Sequence, residues 1–270
     1  MKLFYFASTL VVMGWTYSAV PYGKITQAHN AYNAVKRVAL VNPPSFFDLP
    51  QPIQSGGSVF TFANIPADMY TQHLFVNSAG GILRREATPG NNPDSNYDSL
   101  EAYLIRHDSL PFQRQDSCWV ISLTNGKTTH LCDNTGKKAH ENYESYQLID
   151  YHQPVGFYQL VVSHYEEREN LLVSAETGEK FPVWDYALLS PDSQRFFVCS
   201  YDLEAGFAPN GIQVWKVKGN KVVKEFELQI PNWGPVEPIW LNGKELLFKR
   251  IYLDTENGKE IIKYAKMTIR

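Results

Sequence analysis

The feature that most constrains this chain is a strand order that recurs in its second half. Three windows each carry an apolar strand, a turn, a stronger strand, a loop and a third strand. The first runs from Tyr146 through a turn at 152–156 to Phe157–Ser163 and then Asn170–Ser174. The second runs from Tyr186 through Ser190–Gln194 to Arg195–Ser200 and Ile212–Val217, and the third from Glu237 through Leu241–Glu245 to Leu246–Leu253 and Ile261–Tyr264. A weaker copy places Ala102–Arg106 ahead of a hairpin beginning at Cys118. Third strands start near Cys118, Asn170, Ile212 and Ile261, at spacings of 52, 42 and 49 residues.

Runs of four to eight β-branched and aromatic residues between turn clusters, with no sustained helical period, predict an all-β chain. Units of about 40–50 residues with four strands each predict blades of a β-propeller. If segments near Lys36, Ser58, Met69 and Gly81 form one more divergent unit, residues 20–270 make a single domain of about five four-stranded blades. A β-sandwich of hairpins is the alternative the same pattern allows. The aromatic content of 14% then reads as packing between blades. A Pro- and Asn-rich stretch at 88–99 reads as a long loop.

The second window carries the turn Ser190-Pro191-Asp192-Ser193, followed by Arg195–Ser200 and a strand at Ile212–Val217. This segment of about 40 residues resembles the Ser-Pro-Asp-Gly turn of WD-repeat-like β-propeller blades, which are common in bacterial envelope proteins. The match departs at Ser193, where the family has Gly. The resemblance implies the propeller fold and a binding role, and it implies no fixed chemistry.

At the N-terminus, Met1-Lys2 precedes an apolar run from Leu3 to Trp15 and then Thr16-Tyr17-Ser18-Ala19. Charged start, apolar run and small-residue exit predict a secretory signal peptide over residues 1–19, cleaved after Ser18 or Ala19. The run is about 13 residues against the roughly 20 that span a bilayer, so no stable membrane insertion is expected after cleavage. The chain is expected to be periplasmic or extracellular. Cys118 and Cys132 flank Thr124-Asn125-Gly126, and a type I turn with a G1 bulge there pairs Leu123 with Lys127. Counting outward, Cys118 falls opposite Cys132 at a non-hydrogen-bonded pair, where side chains stand closest. A cross-strand disulfide is therefore expected, and it suits an oxidising compartment. Cys199 reads as a buried structural thiol.

The charge balance, 25 Lys and Arg against 28 Asp and Glu for a net charge of −3, offers no basic stripe for nucleic acid. No zinc-protease spacing, Cys-x-x-Cys pair, Gly-x-Ser-x-Gly elbow or phosphate-binding glycine loop occurs, so no metal and no cofactor is expected. His164 and Glu166 would share a strand face, but Glu167, Arg168 and Glu169 beside them read as a solvated tip. Glu144, Asp185 and Glu237 each stand at the start of a proposed inner strand, with Trp184 and Trp240 nearby. In a propeller these five would ring one channel mouth, where acids and aromatics suit a sugar or a cation. The expected function is thus an exported binding or interaction module taking a protein or carbohydrate ligand. A carbohydrate-active hydrolase using paired carboxylates at that mouth and a structural envelope component are the alternatives.

Overall fold

The computed structural model describes residues 49–50, 52–73, 101, 104, 112–136, 142–165, 167–254 and 259–270. The leader at 1–19, the strand expected at 36–41, the segment near Gly81 and the loop at 88–99 lie outside the described residues. So does Glu166.

The chain is all-β, and the described strands form four antiparallel sheets. The first holds β3 (Phe112–Gln115), β4 (Cys118–Ser122) and β5 (Thr128–Cys132). The second is a meander of β6 (Ser145–His152), β7 (Phe157–Ser163), β8 (Arg168–Ser174) and β9 (Lys180–Val183). The third repeats that order with β10 (Ala187–Leu189), β11 (Arg195–Ser200), β12 (Gly211–Lys218) and β13 (Lys221–Gln229). The fourth has β14 (Gly234–Asn242), β15 (Glu245–Asp254) and β16 (Lys259–Ile269), then β2 (Ser58–Ile65) beside β16 and β1 (Ile53–Ser55) at the edge. No helix among the described residues is long and apolar enough to cross a membrane.

Three expectations differ. Ser58 lies in β2, which is not part of a unit of its own but extends the C-terminal sheet. Met69 falls in a helical turn over 67–73, and positions 101 and 104 are helical where a strand was expected at 102–106. Tertiary packing decides the two helical segments. Tyr70 is fully buried against Ile239 and Leu247 on one face of the fourth sheet, and Leu104 is buried against the first and second.

The sheets stack in chain order because strand alternation gives each an apolar residue on both faces. In β7, Tyr158, Leu160 and Val162 pack with Trp119 and Ile121 of the first sheet, while Phe157 turns to Phe196 and Val198 of the third. In β11, Phe197 turns the other way, onto Trp240 and Phe248 of the fourth sheet. Aromatic pairs line these seams: ring centroids are 6.1 Å apart for Phe157 and Phe196 and 6.3 Å apart for Phe197 and Phe248.

The hairpins follow the expected turn chemistry. Leu123 N donates to Lys127 O at 2.8 Å, Gly126 has φ +80°, and Cys118 pairs with Cys132. In the 190–194 turn, Ser190 Oγ accepts from Arg195 N at 3.0 Å and donates to Asp192 Oδ1 at 2.6 Å. Ser193, the residue that departs from the Gly of the resembling turn, has φ +58°. A side chain in that region is strained, so Ser193→Gly is expected to stabilise by roughly 0.5–1 kcal/mol and raise Tm by about 1–4 °C. Calorimetry of the two proteins checks it, and a lower Tm for the variant refutes it.

Candidate functional site

The five residues expected at one channel mouth are held by separate partners. Glu144 lies just before β6, bridges to Asn134 through the backbone and accepts the Tyr146 hydroxyl at 2.9 Å. Burial, then that bond to Glu144, pushes the Tyr146 phenol up to about 12. Glu237 sits at an irregularity of β14 with φ +49°, exposed, and its carboxylate meets Lys249 Nζ at 2.7 Å. Its carbonyl accepts the Tyr70 hydroxyl at 2.7 Å. Trp240 is buried, and its Nε1 donates to Leu188 O at 3.1 Å, joining the fourth sheet to the third. Trp184 and Asp185 lie together at the approach to β10, and they adjoin a cluster of polar side chains that patterning alone did not single out.

That cluster lies between the second and third sheets. Asp150, His152 and Gln159 are 2%, 4% and 0% exposed. The register of β6 on β7 shifts between Leu148 and Asp150, so Ile149 is an extra residue. The bulge turns Asp150 and His152 together toward the third sheet, instead of the side taken by Leu148. Gln159 reaches that side by ordinary alternation with Phe157. From the third sheet, the Tyr186 hydroxyl donates to Asp150 Oδ2, and Ala187 N donates to Gln159 Oε1 at 3.3 Å. A backbone N–H only donates, so the atom facing Ala187 is the amide oxygen. His152 Nε2, 3.0 Å from the same oxygen, therefore carries a hydrogen. His152 Nδ1 stands 3.7 Å from Asp150 Oδ2, and the ring packs edge-on against Phe196 at 4.8 Å. Beside it, Gln213 Oε1 accepts from Trp184 N and from Trp215 Nε1, each at 3.2 Å, and Gln213 Nε2 donates to Glu227 at 2.9 Å.

A carboxylate bonded to a phenol, with an imidazole close to it that is bonded to an amide, brings together groups that hold and pass protons, and in a buried seam these bonds also fix the register of two sheets. The sequence signal for them is a polar residue inside an otherwise apolar strand, as Gln159 stands between Tyr158 and Leu160 and Gln213 between Ile212 and Val214. Nothing in the sequence marks Asp150, because its face is set by the bulge.

Asp185 is partly buried at the edge of this cluster, and burial pushes its carboxyl up to about 6 against the opposing hydrogen bond from Tyr186 N at 2.7 Å. Burial, with Asp185 nearby, also pushes the Cys199 thiol up, which suits a structural thiol. The unfolded Asp carboxyl loses its proton near pH 3.9. Asp185 therefore contributes most favourably below about pH 4, and that contribution is lost as pH rises through 6. Asp185→Asn keeps an acceptor for Tyr186 N without the charge. It is expected to be roughly 1–2 kcal/mol more stable than the parent at pH 7.5 and level with it at pH 4. Urea midpoints at the two pH values test this, and an equal difference at both refutes it.

Among the described residues, no group of three or more His, Cys, Asp or Glu side chains converges to hold a metal ion. Comparison with family models, curated proteins and solved structures gave no match.

Proposed function

We propose that this chain is an exported binding module of β-propeller type, its four described sheets acting as blades and its ligand being a protein or a carbohydrate. The propeller reading is supported by three successive seams between sheets and by β2, which completes the last sheet beside β16. Fastening the C-terminal sheet with an N-terminal strand is how a ring of blades is held shut. The export reading is supported by the leader-like segment and by the Cys118–Cys132 pair.

One observation carries the binding role. Phe207, at the tip of the loop between β11 and β12, is 92% exposed. The loop beneath it is braced, since the Asp202 carboxylate accepts from the backbone N–H groups of Ala205, Gly206 and Ala208 at 3.0, 2.9 and 2.7 Å. Those bonds, the one from Ala208 foremost, hold the carboxyl below the usual range. Asn210 Nδ2 ties the loop base to Trp233 O at 2.9 Å. A large apolar ring held in water on a braced loop is an interface anchor whose ordering cost is already met in the free protein.

The test places a photo-crosslinking residue at Phe207, and at Val223 as a control, in the full chain expressed in its native cells. The expected result is a discrete crosslinked species from position 207 alone, in exported chain beginning after Ser18 or Ala19. A chain retained inside the cell with residues 1–18 intact overturns the export reading, and equal crosslinking at both positions overturns the binding reading. The hydrolase reading keeps one observation, the raised carboxyl of Asp185, which is the state a general acid needs. Loss of oligosaccharide turnover in Asp185→Asn would favour it.

A further inference from the structure

We infer that the Cys118–Cys132 disulfide is a redox-controlled latch on the seam between the first and second sheets. The pair closes the end of the β4–β5 ladder opposite its turn, and the residues beside it grip Tyr146 of β6. Asp133, next to Cys132, donates its backbone N–H to Ser117 O at 2.7 Å, and its Oδ1 accepts from Tyr146 N at 2.8 Å. Trp119, next to Cys118, donates from Nε1 to Tyr146 O at 3.0 Å. Arg114, paired with Trp119 across β3 and β4, donates to that same carbonyl at 2.9 Å and also holds Asp133. β6 is the edge strand of its sheet, so these contacts satisfy backbone groups that no neighbouring strand takes. The grip on Tyr146 thus comes from β3, from β4 and from the residue that follows β5, and the disulfide holds β4 and β5 in alignment at that end.

Three features make the bond a switch as well as a staple. Cys132 is exposed and Cys118 partly so, which gives a reductant access. The first sheet has strands of only four or five residues, so it has few other bonds to resist fraying. The second, third and fourth sheets share seams that do not involve it. In the reducing step, a thiolate of an external dithiol attacks Cys132 Sγ, the disulfide breaks, and Cys118 leaves as a thiolate that takes a proton from water. The second thiol of the reductant then attacks the mixed disulfide and releases Cys132. The protein gains two thiols, and the dithiol is oxidised to a cyclic disulfide.

The test treats the folded full chain with dithiothreitol in the absence of denaturant. Thiols are counted by alkylation and intact mass, and hydrogen exchange is compared before and after. Closing a loop of this size constrains opening by about 100-fold. Reduction is therefore expected to speed exchange by about that factor across 113–133 and at Tyr146, to leave β11–β16 within about twofold, and to reverse on reoxidation. A bond that resists reduction until the whole chain unfolds overturns the inference, as does unchanged exchange or a loss of protection spread over all four sheets. Cys118→Ser with Cys132→Ser should show the opened pattern without reductant. If that variant does not fold, the reduced wild-type measurement decides alone.

Discussion

Glu225→Ala is expected to cost about 3–5 kcal/mol and to loosen the β1–β2 hairpin first, because it removes one half of a buried charge pair and leaves the other. Glu225 is 4% exposed in β13. Its carboxylate accepts Arg195 Nε at 2.8 Å and the Ser58 hydroxyl at 2.7 Å, while its carbonyl accepts the Ser55 hydroxyl at 2.7 Å. Gly56 closes the contact. At φ +58°, a Cβ there would lie 2.7 Å from Glu225 Cγ, so the hairpin tip rests directly on this residue. One side chain thus links β11, β13 and the hairpin that borders β16. Glu225→Gln keeps an acceptor for Ser58 and Arg195 and should cost about 1–2 kcal/mol. Urea unfolding measures both, and an alanine variant within 1 kcal/mol of the parent would remove this closure from the account.

Acid should act on the same contact. Burial pushes the Glu225 carboxyl upward, but the hydrogen bonds from Arg195 and Ser58 outweigh it and hold the carboxyl below its ordinary value. Its contribution is accordingly complete above about pH 4.3, the unfolded value, and fades as pH falls below that.

Trp240→Ala is the second large effect, at about 3–5 kcal/mol. Read from its spacing, Trp240 was a ligand residue at a channel mouth. The structure surrounds it with Phe197, Leu246 and Phe248 and bonds its indole N–H to Leu188 across a seam. The Phe197 ring lies edge-on to it, with centroids 6.3 Å apart. Trp240→Phe keeps most of the apolar area and loses the hydrogen bond, for roughly 1–2 kcal/mol. A change in urea midpoint at constant slope is the expected signature. If Trp240→Ala left stability unchanged and abolished binding of a sugar or peptide, the packing role would be refuted.

Much of the fold was legible because strand patterning and turn chemistry are local. Tyr146, Phe157 and Asn170 lie in successive strands in the expected order, and the Asn125-Gly126 turn places Cys118 opposite Cys132 by counting alone. The partner of β2 was not legible. Joining Ser58 to the far end of the chain, where Thr61 pairs with Thr268, depends on which sheet edge lies nearby, and no local signal carries that.

The acids show where sequence stops and tertiary structure begins. By itself the sequence determined the strands from Cys118 onward, which residues are apolar enough to fill the seams, and the pairing of one disulfide. Each of these rests on a period of two or on a turn a few residues long. Which way the key acids face was decided by irregularities in three ladders. The extra residue at Ile149 turns Asp150 and His152 together away from the Leu148 side and toward the third sheet. In β13 the register shift makes Glu225 itself the extra residue, side by side with buried Phe226. The irregularity at 236–239 puts Glu237 in a left-handed conformation beside Lys249. A bulge inserts one residue and reverses every face beyond it. It forms where two sheets must fit each other, which alternation along a single strand does not encode.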